Sequence, residues 1–205
     1  MRIAIDGPAA AGKTTLAKRL AEELGFLFVP TGAMYRAVAW AVAHGIDWKR
    51  ANLEVRDGGK IFLDGRDITD ELTNPEIDEL SSRVAVDSEV RRHLVALQRE
   101  IARGRDVVME GRDIGTVVLP DAEVKIFLWA TPEERARRRF RERGGDYERI
   151  LEAIKRRDER DSTRADSPLR PAEDAVVIDT TGKSPDEVFR MVLLLVEERC
   201  GKDRR

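Results

Sequence analysis

The sequence predicts an α/β fold: a five-stranded parallel sheet wrapped by helices and built on a phosphate-binding P-loop. Three observations carry this. Short apolar runs alternate with helical patterns along the whole chain. The first run, Met1–Ile5, leads into Gly7-Pro8-Ala9-Ala10-Ala11-Gly12-Lys13-Thr14-Thr15, which fits G-x-x-x-x-G-K-[ST]. The 205 residues suit one compact unit with inserted subdomains.

The motif has a physical reading. Glycines let successive N–H groups turn inward as an anion nest, and the helix predicted from Gly12 to Leu24 adds its positive N-terminal end. Lys13 is placed to reach β- and γ-phosphates, and the Thr14 hydroxyl to ligate Mg²⁺.

Gly25 is a C-cap, and Phe26–Val29 is a second buried strand closed by Pro30. A helix opens at Thr31-Gly32 and stops near His44-Gly45. Tyr35 and Arg36 lie one turn in, suited equally to a solvated surface or to a substrate phosphate. Residues 55–70 hold turn signals around a short alternating strand, a β insert too small for its own core. Asn74-Pro75 starts another helix, and a further one runs from Ser88 to Ala102.

Asp106–Met109 is the next strand, ending in Glu110-Gly-Arg-Asp113. A carboxylate at the end of a buried strand beside a P-loop is the natural second Mg²⁺ group, which favours Glu110. The similar Asp64-Gly-Arg-Asp67 sits in a predicted hairpin, where Asp-Gly is a turn former. After the strand Val124–Trp129, Thr131-Pro-Glu-Glu134 is a capping box. It opens an arginine-rich helix that breaks at Gly144-Gly145, and a second charged helix spans Tyr147 to Thr163. Arg157, Asp161 and Arg164, at i, i+4 and i+7, share one face. Such helices are commonly solvated surface. Here the arginine excess and the glycine break favour a mobile lid over phosphates, spanning 132–164. Ala175–Asp179 and a capped final helix, ending near Cys200-Gly201, close the chain.

The composition narrows the partners. Net charge is −2 with 37% charged residues, so the chain does not read as a nucleic-acid binder. No apolar run is long enough to span a bilayer. No leader is visible at the N-terminus, and the one cysteine, Cys200, suits a reducing compartment, so a cytoplasmic location is expected. A P-loop with Mg²⁺ groups serves switches, motors and kinases. The short chain, the arginine-rich lid and the lack of a residue placed to orient a hydrolytic water favour a small-molecule kinase.

Taken together, Ile5-Asp-Gly-Pro8, Thr31-Gly-Ala-Met-Tyr-Arg36, Leu63-Asp-Gly-Arg-Asp-Ile68, Glu110-Gly-Arg-Asp-Ile-Gly-Thr116 and Arg157-Asp-Glu-Arg-Asp161 resemble the cytidylate kinases of the P-loop nucleoside-monophosphate kinase group. The resemblance runs along nearly the whole chain, with a shorter stretch between Gly45 and Lys60 than in longer family members. It implies a P-loop kinase fold with a core over 1–30, 104–131 and 165–205 and a monophosphate-binding region over 31–103. It also implies transfer of the ATP γ-phosphate to CMP or dCMP with Mg²⁺. Carried over residue by residue, Ser82, Arg91 and Asp113 would read cytosine, and Arg36, Arg112 and Arg157 would hold the CMP phosphate. Thr31, Asp161 and Arg164 would contact the acceptor's sugar and phosphate. Lys13, Arg112, Arg157 and Arg164 would stabilise the transferring phosphoryl group, with Thr14 and Glu110 at the metal. Arg135 and Arg139 are the candidates for the ATP adenine and phosphates. A kinase for UMP or a shikimate-like acid, and a non-catalytic ATP-binding regulator, are the alternatives. Small kinases of this group are often monomers, so a monomer is expected.

Overall fold

The computed structural model describes residues 1–203, with side chains through Arg199, so the Cys200 thiol lies outside the described residues. Five parallel strands form the main sheet in the order β2 (Leu27–Pro30), β6 (Val107–Gly111), β1 (Arg2–Asp6), β7 (Val124–Trp129), β8 (Val176–Asp179). β1 lies at the centre, pairing Asp6 with Gly111 on one side and with Phe127 on the other. A strand buried on both faces is largely apolar, as Ile3-Ala4-Ile5 is here. Alternate residues of β1 accordingly feed two cores. Ile3 and Ile5 join α1 (Lys13–Leu24) and α7 (Pro185–Asp203), while Ala4 faces the core under α2 (Thr31–Ala43) and α4 (Ser88–Ala102).

The differences from the sequence-based elements have local causes. Pro30 ends β2 rather than closing it, because β2 is an edge strand whose outer side needs no N–H donor. The strand before Glu110 runs on through Gly111, so Glu110 stands within the sheet, 6% exposed. Gly12 precedes α1 with φ +95°, and Lys13 is its first residue. The insert is a three-stranded antiparallel sheet, β3 (Leu53–Arg56), β4 (Lys60–Leu63) and β5 (Arg66–Asp67), rather than one strand between turns. Its 57–59 turn packs on β2, where a Cβ on Gly59 would stand 2.5 Å from the Phe28 ring.

Local capping fixes the helices that flank the site. The Asn74 side chain accepts from Glu76 N at the start of α3 (Pro75–Val84), and Asp87 accepts from Glu89 N at the start of α4. Thr131 Oγ1 accepts from Glu134 N to start α5 (Pro132–Arg143). Gly144 and Gly145, with φ of +69° and +100°, turn the chain into α6 (Tyr147–Thr163). The loops that follow β1, β2, β6, β7 and β8 all leave the carboxyl ends of the parallel strands, where open α/β sheets place their ligands.

Candidate functional site

A cavity of about 1000 Å³ opens at those strand ends, between the P-loop, α3 and the α5–α6 pair. Gly7 starts its floor. Its φ of +146° and a would-be Cβ only 2.1 Å from Leu128 O admit no side chain. Ala10, at φ +60°, and Gly12 supply the other left-handed turns that aim N–H groups inward.

Lys13 Nζ donates to Pro8 O at 2.7 Å and is buried. Burial pushes its ammonium down to about 7, and the nearby Arg112 and Arg157 push the same way, against the pull of Glu110. Burial and Arg112 likewise lower Arg157 to about 10. Arg112 Nε donates to Asp161 Oδ2 at 2.8 Å and its Nη1 to Gly7 O at 3.1 Å. Burial alone would raise the Asp161 carboxyl, but Arg112, Arg157 and Arg164 hold it below the ordinary carboxylate range. Burial and the neighbouring cations lower Lys13 and Arg157, whereas at Arg112 burial is outweighed by Asp161 and Glu110, which raise it. Three cations gathered in this way form a site for a polyanion.

Thr14 Oγ1 donates to Glu110 Oε1 at 3.0 Å, and Thr31 Oγ1 to the Glu110 carbonyl at 2.7 Å. Two oxygen ligands thus meet at the mouth of the P-loop. Among the described residues no cluster of three or more His, Cys, Asp or Glu side chains offers a full protein cage. A hydroxyl and one carboxylate fit Mg²⁺, which keeps waters and substrate phosphates as its remaining ligands.

Also in the cavity wall, Asp113 accepts from Arg91 Nη2 at 2.5 Å, with Arg164 Nη2 3.9 Å from its other oxygen. Arg91 and Asp113 are both buried. Tyr35 stands beside this cluster, its hydroxyl pushed up to about 12 by burial. Ser82 Oγ accepts from Arg160 Nη1 at 2.6 Å. Arg36 Nη1 lies 3.7 Å from Asp78 Oδ1, and Arg143 Nη1 lies 3.0 Å from Asp78 Oδ2, so α3 is tied to α5 across the opening. Arg91 Nε, Arg157 Nε and Arg164 Nη2 are buried without a hydrogen-bond partner. Buried donors of this kind call for acceptors such as ligand oxygens.

The cavity therefore gathers the P-loop, Thr31, Arg36, Ser82, Arg91, Glu110, Arg112, Asp113, Arg139, Arg157, Asp161 and Arg164. Arg135 is the exception. It is 2% exposed and turned into the protein, donating Nε to Ala130 O at 2.9 Å and Nη1 to Ala9 O at 3.2 Å and to Asp158 Oδ1 at 3.0 Å. It ties α6 to the P-loop backbone instead of facing a nucleotide. Arg138, three residues on, lines the cavity in its place and donates Nη1 to Thr180 Oγ1 at 3.0 Å. The sequence offers six arginines on one helix, and no spacing rule says which of them turns inward. No motif assigns a role to Asp6 or Asp78. An aspartate at the last position of a buried strand was the available signal for Asp6.

The cytidylate kinase family model matches residues 3–198. A cytidylate kinase of Thermosipho melanesiensis is 47% identical over 97% of this chain and 98% of its own. One of Caldanaerobacter subterraneus subsp. tengcongensis is 49% identical over 94% and 92%. Among solved structures, a shikimate kinase from Bacteroides thetaiotaomicron superposes with a TM-score of 0.51 at 14% identity, covering 96% of this chain and 98% of that one. At that identity it shows the P-loop kinase fold alone. With a family match along nearly its whole length, the chain belongs to the cytidylate kinase family.

Proposed function

We infer that the protein transfers the γ-phosphate of ATP to CMP or dCMP, giving ADP and CDP or dCDP. The observation that carries this reading is the buried Asp113, fixed by Arg91, in the wall of the same cavity as Lys13. A carboxylate accepts from the exocyclic N4 amine of cytosine, whereas the O4 of uracil would meet it acceptor to acceptor. Ser82 and Arg91 complete the base site. Reading by Ser82 requires its hydroxyl to exchange Arg160 for the base.

Arg36, Arg112 and Arg157 hold the acceptor phosphate. Asp161 orients Arg112 and, with Thr31 and Arg164, faces the sugar and phosphate. Lys13 and the P-loop N–H groups hold the donor's β- and γ-phosphates. Mg²⁺ bound between Thr14 and Glu110 would neutralise charge on those phosphates. The attacking oxygen belongs to a phosphate that is already ionised, so the chain needs no strong general base. Its contribution is alignment of two anions and stabilisation of the charge between them. Arg139 and Arg138 supply cations from α5 at the donor end. Closure of α5 and α6 over the cavity excludes water. A monomer in the cytoplasm accords with this reading, and among the described residues no helix is long and apolar enough to cross a membrane.

An acceptor panel of CMP, dCMP, UMP and shikimate with ATP and Mg²⁺, followed as ADP release, tests the reading. Turnover restricted to the cytidine nucleotides supports it. Equal turnover of UMP, or shikimate as the better acceptor, overturns it, as does no ADP release with any acceptor.

A further inference from the structure

Asp6 ends β1 immediately before the P-loop, 4% exposed. Its Oδ1 accepts from Ile114 N at 2.8 Å and its Oδ2 from Gly115 N at 2.7 Å. Those two N–H groups open the single π-type turn Ile114–Val118 that follows Asp113. The next residue, Gly7, accepts from Arg112 Nη1 through its carbonyl. Asp6 and Gly7 therefore hold residues 112–115 by three hydrogen bonds, with the P-loop at one end and the base site at the other.

The position of Asp113 gives this its meaning. Asp113 occupies the N-cap of the turn, the place where an aspartate ordinarily accepts from the turn's own first N–H groups. It makes no such bond. Asp6 takes both N–H groups from across the sheet, which leaves the Asp113 carboxylate free to face Arg91 and Arg164. Burying a carboxylate costs free energy, and among the described residues no cation lies within ion-pair distance of Asp6 to offset it. The charges that bear on it are Asp113 and Lys13. Two neutral donors on separate oxygens suit a role in fixing orientation better than one in storing stability.

We infer that Asp6 is the positioning residue that directs Asp113 toward the acceptor base, by capping in trans the turn that Asp113 would otherwise cap itself. This rests on the assignment of Asp113 as the cytosine reader. Asparagine at position 6 would keep one acceptor and set an NH₂ group against the other N–H donor. The turn then relaxes onto the Asp113 carboxylate. A milder perturbation comes from the turn side: a methyl at Gly115 would stand 3.4 Å from Asp6 Oδ2 and 3.3 Å from Lys125 Cδ.

The test compares kcat/KM for CMP and UMP, and KM for ATP, in wild type, Asp6→Asn, Gly115→Ala and Asp113→Asn. Asp6→Asn is expected to lower the CMP:UMP ratio by about tenfold while KM for ATP stays within about twofold. Gly115→Ala is expected to shift the ratio the same way by a smaller factor, and it carries the test should Asp6→Asn not fold. A ratio that collapses in Asp113→Asn but stays at the wild-type value in both other variants overturns the role of Asp6 alone. A rise in KM for ATP with an unchanged ratio also overturns it, placing Asp6 with Lys13. An unchanged ratio in Asp113→Asn removes the cytosine assignment itself.

Discussion

Arg91 Nη2 and Asp113 Oδ2 stand 2.5 Å apart in a buried pair in the cavity wall. The pair joins α4 to the turn after β6 through two residues that stand 22 apart in sequence. A buried ion pair is weak evidence for stability, because desolvation consumes much of the attraction. Fixing an acceptor in one orientation is the better account of it. On the proposed function, the remaining cations of the cavity would divide between two phosphate-bearing ligands.

Lys13 is buried in the P-loop, with its Nζ on the Pro8 carbonyl. Lys13→Ala is expected to lower kcat by about 100-fold or more with every acceptor alike, because it removes charge from the transferring phosphate rather than from the base site. A coupled assay of ADP release with CMP and dCMP checks this. A loss confined to one acceptor would contradict it.

Arg135 and Arg138 are expected to differ in their effect on ATP, although both donate to P-loop carbonyls. Arg135→Met removes a buried partner of Asp158 and should cost about 3 kcal/mol of stability, with KM for ATP unchanged in the folded fraction. Arg138→Met should raise KM for ATP by about tenfold, over and above the stability lost with its bonds to Glu134, Ala11 O and Thr180. Thermal denaturation and initial rates at varied ATP distinguish the two. The reversed pattern would restore Arg135 to the nucleotide.

Asp6 gives the fold a pH signature. Burial raises its carboxyl from 3.8 to about 6, against the two N–H donors that lower it. Between those values the folded state holds more proton than the unfolded state. The site's contribution is therefore fully present below about pH 4 and is lost as the pH rises through about 6. Asp6→Asn lacks this titration. The melting temperature of wild type minus that of the variant should be larger at pH 4 than at pH 6.5. A difference independent of pH would contradict the shift.

The α5–α6 pair is expected to move on ligand binding. Residues 141–146 are exposed around Gly144-Gly145, and Arg143 and Arg160 reach across to Asp78 and Ser82 on α3. Limited proteolysis at the glycine pair should slow in the presence of CMP with a non-hydrolysable ATP analogue. Cleavage at an unchanged rate would show that the pair does not close.

Much of this site is legible in the sequence because its parts are local. Gly7–Thr15 is one continuous stretch of loop and first helical turn, and Glu110–Asp113 is the end of one strand and the residues after it, so chain order places their backbones. Thr131 and Asn74 announce their helices by side-chain chemistry alone. What stays hidden depends on distance through space. Arg135 turns inward because Asp158 and the Ala9 carbonyl happen to lie there, and neither is near it in sequence. Asp6 reads as the last residue of a strand until Ile114 and Gly115 are seen against it. The three-stranded insert is compressed into turn signals, because strands of two to four residues carry little periodicity.

The most direct measurement is the ratio of kcat/KM for CMP over UMP, in wild type and in Asp113→Asn. A site built to accept from the N4 amine should favour CMP by about 100-fold or more, and removal of the carboxylate charge should reduce that preference by at least about tenfold. Equal turnover of CMP and UMP by the wild type, or a preference that survives Asp113→Asn intact, would contradict it.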